Sequence, residues 1–345
     1  MVIAQHGGDT FSREIRYDFS SNLNPLGMPR RVKEALQSAV SEWERYPDPF
    51  CRTLREKLSK KEQLPMEQIV CGNGAADLIY RIVAAIRPKR ALVCAPAFSE
   101  YETALREFGC AVERHLLREE TGFALTTDIL SSLHKPIELV FLCNPNNPVG
   151  NVIQPEVLHA ISRRCHQEGI FLICDECFLD FVEEGAQFSG RQWFGEQMIL
   201  LKAFTKSYAM AGLRLGYGLF GSKSIAEQVA NTGQYWSVSA PAQLAGTVAL
   251  EESEYLQKTV PLVAKERLYL TSELTKLGCA VYHSDCNFLL FHHPMPLEEL
   301  LLSEQILIRN CGNYHGLSEG FFRIAVRTHK ENTALLAAMR RVIYG

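Results

Sequence analysis

Six short apolar runs recur through the middle of the chain: IVC (69–71), ALVCA (91–95), ELVFLC (138–143), IFLIC (170–174), MILLKAF (198–204) and LGYGLF (215–220). Each is continuous and rich in Val, Ile, Leu and Phe, as strands buried on both faces are. Helical patterns lie between them. Residues 77–86 carry apolar side chains at 78, 79, 82, 83 and 86, and residues 155–168 carry them at 157, 158 and 161 before Gly169 stops the helix. Strands alternating with helices indicate an α/β layer with a mostly parallel sheet flanked by helices. After about residue 250 the pattern changes to a long helix near 255–277, shorter strands near 279–292 and 321–327, and a closing helix near 331–342. A chain of 345 residues exceeds the usual size of a single core. The expected organisation is a large α/β domain over 40–250 and a smaller α+β domain built from 1–39 and 251–345.

Composition narrows the partners. A net charge of −3 gives no general attraction to nucleic acid or to anionic membranes. No apolar run approaches the ~18 residues that a membrane span needs. The stretch MVIAQHGGDTF has neither a basic n-region nor an apolar h-region, so no signal peptide is expected. Eleven cysteines, scattered singly, fit reduced thiols in a cytoplasm. The one CxxC, Cys174 to Cys177, has no second CxxC or spaced histidine pair beside it, so neither a metal site nor redox chemistry is expected.

Several short motifs carry chemistry. Gly216-Tyr-Gly218-Leu-Phe-Gly221 matches G-x-G-x-x-G, but it lies inside an apolar run with no acidic residue closing a second strand, so no dinucleotide site is expected. CGNGAA (71–76) follows a strand and opens a helix, so its backbone N–H groups and the helix dipole point at an anion. NPNNPVG (144–150) is a rigid loop after a strand, with asparagines as amide donors. In IFLICDECF, Asp175 and Glu176 end an apolar strand, where a carboxylate is costly unless paired. AFTKSYAMAGLRLGY (203–217) sets Thr205, Lys206 and Arg214 in a mostly apolar segment. Basic side chains do snorkel from such surfaces. Together, however, these parts fit pyridoxal 5'-phosphate, which needs an amine, a carboxylate for its ring nitrogen, a phosphate cradle, a donor to its phenolic oxygen and an aromatic face. Each part falls on a loop at the end of a different strand, where open α/β sheets bind ligands.

The order GNG, PxF, NPxNPxG, DE, TK, GLRLG resembles the fold-type I, aspartate-aminotransferase superfamily of pyridoxal-phosphate enzymes, over essentially all 345 residues. The resemblance implies that Lys206 binds the cofactor covalently, Asp175 pairs with its ring nitrogen, Asn147 bonds its phenolic oxygen and Phe98 stacks on its ring. It implies a phosphate site made by backbone near Gly74 and Ala75, by Thr205 and by Arg214. Tyr46, in RYPDP, resembles the tyrosine that reaches a partner subunit's phosphate, which implies a homodimer. Ala203, Phe178 and Val149 depart from residues common in relatives, a difference that bears on aminotransferase tuning.

Two subfamilies are most similar: threonine-phosphate decarboxylases of cobalamin synthesis and histidinol-phosphate aminotransferases. HGG (6–8), DFSSNLNPLG (18–27), DECF (175–178), WSV (236–238), ILIRNC (306–311) and FFRIAVR (321–327) resemble the decarboxylases. The implied substrate is a small phosphorylated amino acid. Arg309 and Arg323 are expected to hold its two anionic groups, with His6 and Asn24 near them. A pyridoxal-phosphate regulator is disfavoured, because no helix-turn-helix extension is visible.

Overall fold

The computed structural model describes residues 6–345, and each of the six apolar runs contributes a strand to one seven-stranded sheet. In spatial order the strands are Ile69–Gly72, Gly216–Phe220, Met198–Ala203, Phe171–Asp175, Leu139–Cys143, Arg90–Ala95 and Ala111–Leu116. Gly216–Phe220 runs antiparallel to both neighbours, and the remaining pairings are parallel. All residues of Leu139–Cys143 are buried, which is why that run shows no alternation.

The seventh strand has no counterpart among the apolar runs. Ala111–Leu116 reads AVERHL and is mostly exposed, because it forms the edge of the sheet. Charges on an edge deter pairing with another chain. The same charges remove the apolar run by which inner strands are recognised.

Helices cover the sheet where the periodicity places them. Ala75–Ile86 buries Leu78, Ile79, Ile82 and Val83. Pro155–Glu168 buries Leu158, Ile161 and Cys165 and ends at Gly169, whose φ of 71° suits glycine. No helix among the described residues is long and apolar enough to cross a membrane.

A second, four-stranded antiparallel sheet has the order Arg309–Asn310, Phe321–Ala325, Phe288–His292, Ala280–Val281. The 24-residue helix Ser253–Lys276 leads into it, and His329–Tyr344 closes the chain behind a capping box formed by Thr328 and Glu331. Tyr17–Asp18 pairs in parallel with Ile306–Leu307, so the early chain joins the late chain there. The helix Arg30–Ser38 instead buries Val32 in the core beneath the larger sheet. Its Arg31 reaches Glu251 and Glu252 at 3.1 Å each.

Gly150 packs the asparagine-rich loop against the turn that precedes the strand Phe288–His292. Gly150 has φ +101°, and a Cβ there would fall on the Ser284 side chain. The Gly150 carbonyl also accepts from the Asp285 N–H at 2.9 Å. Gly150→Ala therefore meets both an unfavourable backbone conformation and a collision. We expect a loss of about 1–3 kcal/mol, read as a lower thermal-unfolding midpoint. An unchanged midpoint would show that the loop accommodates the methyl group.

Candidate active site

The carboxyl ends of the parallel strands open into a cavity of about 590 Å³. Lys206 reaches it from the single turn Phe204–Ser207, directly after the strand Met198–Ala203. Asp175 is the last residue of its own strand. Asn147 and Phe98 stand on the loops that follow the next two strands, and both line the same space.

Lys206 lies with its Nζ 5.8 Å from the centre of the Phe178 ring. Burial holds its ammonium below the usual lysine range. Arg323 and Arg214 push the same way, while Cys177 and Asp175 oppose them. A larger share of neutral amine, the nucleophilic form, is the result.

Asp175 and Glu176 point to opposite faces because side chains alternate along a strand. Asp175 lines the cavity, with Oδ2 accepting from the Tyr101 hydroxyl at 2.6 Å and Oδ1 from the Cys177 N–H at 3.0 Å. Glu176 turns away from it. There it accepts from the Gly190 N–H at 2.7 Å and from the Ser189 hydroxyl, and it pairs with Lys202 at 3.3 Å.

At one end of the cavity the helix Ala75–Ile86 starts from Gly74, at φ +83°, with no side-chain cap. Its first N–H groups and the positive end of its dipole are thereby left for an anion. A Cβ on Gly74 would stand 2.7 Å from Arg214 Nη2, so the guanidinium lies against the bare glycine. Arg214 itself has φ +57°, a strained conformation for a residue with a side chain. Thr205 is buried beside Lys206 and lines the cavity with Ala75 and Arg214.

The second sheet supplies the other end. Arg309 and Arg323 are register partners on adjacent strands, and each is 6% exposed. Like charges directly opposite each other in a sheet repel, the more so when buried. Arg323 Nη1 donates to Asn147 Oδ1, which turns the Asn147 NH₂ toward the cavity as a donor. Arg323 Nη2 donates to the Ser20 carbonyl at 2.8 Å, and its Nε is buried without a partner among the described residues. Arg309 Nη2 donates to Asn313 Oδ1 at 3.0 Å. At the cavity wall His6 Nε2 lies 2.8 Å from Glu100 Oε1, and Tyr80 donates to Glu100 Oε2 at 2.9 Å. The His6 contact, and then the Tyr80 bond, hold the Glu100 carboxyl below its usual range against the opposing effect of burial.

Two expected residues lie outside the cavity. Asn24 is not among the residues that line it. Its Nδ2 is committed to the Ser207 carbonyl and to Thr259 Oγ1, at 2.8 Å each, and its N–H bonds the Lys206 carbonyl at 3.2 Å. It braces the lysine turn. Asn22, two residues earlier, does line the cavity and has a buried, unpartnered Oδ1. Tyr46 is 80% exposed and stacks on Trp236, with ring centres 4.6 Å apart. The sequence reading also passed over Tyr101 and Glu100, although both fall within the PAFSEY stretch that contains Phe98. No spacing rule marks a tyrosine or a glutamate for the contacts they make.

These residues fit pyridoxal phosphate on structural grounds. A shielded amine, a carboxylate held by two donors, an amide aimed inward and an uncapped helix start against an arginine surround one space. Removing the cation at the helix start tests the phosphate end. Arg214→Ala should weaken cofactor binding by roughly 10- to 100-fold, the worth of a charge-assisted hydrogen bond, in a fluorescence titration of apoprotein. Unchanged affinity would place the phosphate elsewhere.

Comparison with known proteins points the same way. Residues 15–339 match the family described as aminotransferase class I and II. The chain is 38% identical over 332 residues to the threonine-phosphate decarboxylase of Salmonella typhimurium, covering 95% of this chain and 91% of that one. The structure of the histidinol-phosphate aminotransferase from Clostridium acetobutylicum aligns with a TM-score of 0.89 at 28% identity, over 95% of this chain and 99% of that one. That of L-threonine-O-3-phosphate decarboxylase from Porphyromonas gingivalis aligns with a TM-score of 0.80 at 26% identity, over 94% and 98%. The chain therefore belongs to the aminotransferase class I and II family, with the fold-type I architecture of an enzyme that works with pyridoxal 5'-phosphate.

Proposed function

We propose that the protein decarboxylates L-threonine O-3-phosphate to (R)-1-amino-2-propanol O-2-phosphate, a step of cobalamin biosynthesis carried out in the cytoplasm. The observation that carries this reading is the buried, opposed pair Arg309 and Arg323 in the cavity that Lys206 enters. Two fixed guanidinium groups suit a substrate with both a phosphate and a carboxylate. The 38% identity to a threonine-phosphate decarboxylase supports it.

Bound pyridoxal phosphate supplies an electron sink that labilises whichever Cα bond stands perpendicular to its ring. The protein decides which bond that is. Arg323 and Asn147 orient the carboxylate, while Arg309 and His6 receive the phosphate. Lys206 would hold the cofactor's reactive carbon in the resting enzyme, with Asp175 paired to its ring nitrogen and Phe98 against its ring. Gly74, Ala75, Thr205 and Arg214 would hold its phosphate. After carbon dioxide leaves, Cα needs one proton, and Lys206, freed when the substrate amine takes its place, would be the donor in its ammonium form. Borohydride reduction of the yellow protein should fix the cofactor on Lys206. A label on another lysine sinks the assignment.

The reaction test is carbon dioxide release from L-threonine O-3-phosphate with no 2-oxo acid added. L-Serine O-phosphate, which lacks only the methyl group, is the comparison substrate. Arg309→Ala leaves one dianion unpaired in a closed site, so kcat/KM should fall by about 10²–10³. Unphosphorylated threonine should be a poor substrate for the same reason. Histidinol phosphate carries a phosphate but no carboxylate and would leave one arginine unsatisfied. Its efficient conversion with 2-oxoglutarate, without carbon dioxide from phosphothreonine, would make the protein an aminotransferase instead.

We also propose a homodimer, built on the exposed aromatic patch of Tyr46, Phe50, Tyr235 and Trp236. Tyr46 then reaches the partner's cofactor phosphate. Inactive Tyr46→Ala and Lys206→Ala subunits, mixed under exchange conditions, should change activity differently from two lesions within one site. An active monomer in sedimentation would rule the arrangement out.

A further inference from the structure

Asp175 is gripped from behind as well as exposed in front. Tyr101, on the helix Glu100–Glu107, is buried, and its hydroxyl donates to Asp175 Oδ2 at 2.6 Å. The phenol ring has little freedom. It lies parallel to Phe141, with centres 4.9 Å apart and planes 6° from parallel, and it meets Phe98 edge-on at 5.6 Å. Burial, with Asp175 beside it, pushes the phenol well above its usual range, so the hydroxyl keeps its proton and acts as a donor.

A carboxylate turns about its Cβ–Cγ bond unless both oxygens are held. Here the Cys177 N–H takes Oδ1 and Tyr101 takes Oδ2, which fixes the plane and leaves lone pairs for a group in the cavity. The Cys177 bond comes from the adjacent backbone and is present whatever the side chains do. The Tyr101 bond comes from another helix, and it ties Asp175 to the same aromatic stack that contains Phe98.

We infer that Tyr101 is a positioning residue for the reaction: it fixes the plane of the Asp175 carboxylate so that it meets the cofactor's ring nitrogen. The inference rests on the proposal that Asp175 faces that nitrogen. Tyr101 also keeps Phe98 and Asp175 in fixed relation, so ring face and ring nitrogen are set together.

Tyr101→Phe removes one oxygen and keeps the ring, so the stack on Phe141 persists. In the holoenzyme kcat should fall roughly 10- to 100-fold, with KM changed by less than about threefold. The ¹⁵N resonance of ring-labelled cofactor should move toward that of Asp175→Asn, and apoprotein should bind cofactor more weakly. Adding Tyr101→Phe to Asp175→Asn should cost no more than about twofold further, because the two act through one contact. If Tyr101→Phe fails to fold, Phe141→Leu keeps the hydroxyl but removes its support, and the same resonance should move in the same direction by less. A lower unfolding midpoint with an unmoved resonance and unchanged kcat would mean a merely structural role and overturn the inference. So would full additivity with Asp175→Asn. If Asp175→Asn itself moves neither resonance nor rate, the ring-nitrogen assignment fails first. If Asp175→Asn moves both and Tyr101→Phe moves neither, this inference alone fails.

Discussion

A strand buried on both faces can present a charged side chain only where it leaves the sheet. That constraint organises this enzyme. Asp175 is the last residue of its strand, Lys206 stands three residues past the end of the next, and Asn147 four past a third. Because these strands are parallel neighbours, their exits share one edge, and three polar groups distant in sequence meet there. The alternation that aims Asp175 inward sends Glu176 to the far face, where Lys202 and Ser189 satisfy it. One buried strand thus supports two carboxylates with separate duties.

The second sheet is joined to this edge by hydrogen bonds to groups the site uses. Asn24 holds the carbonyls of Lys206 and Ser207, and Arg323 holds Asn147 and the Ser20 carbonyl. The segment around residues 20–24 therefore touches both the lysine turn and the arginine pair. Direct hydrogen bonds thus link the cofactor end to the substrate end. Gly150 acts in the same sense, since its packing on Ser284 anchors the loop that carries Asn147.

Much of this was legible in the sequence, for identifiable reasons. Buried strands are written as continuous apolar runs, and helix stops such as Gly169 follow from backbone conformation. Motif order brought Lys206, Asp175, Asn147, Phe98, Arg214 and both distal arginines into one cavity. What escaped has a common cause. Ala111–Leu116 was hidden because an edge strand needs charges rather than apolar residues. Asn22 and Asn24 differ only in which way the loop turns, and sequence does not record that. Tyr101 and Glu100 act through partners 74 and 94 residues away, at distances set by the fold alone.

Charge decides what the cavity can bind. Among the groups lining the cavity, Lys206, Arg214, Arg309 and Arg323 are basic, and Asp175 and Glu100 are carboxylates. The cofactor's phosphate brings roughly two negative charges and so offsets most of the cationic excess. A substrate bearing phosphate and carboxylate then adds about three more, in a space where uncompensated charge is costly. Transamination leaves that carboxylate in place. Decarboxylation removes it as neutral carbon dioxide and leaves its electron pair at Cα, so the negative charge stays in the cavity until Cα takes up a proton. The opposed arginines bind both anions at the start, and departure of one leaves a buried guanidinium without its anion until the product leaves. The arginine pair thus accounts for the binding of both anions, and the proposed choice of carbon dioxide loss over amine transfer lies in which Cα bond that pair orients.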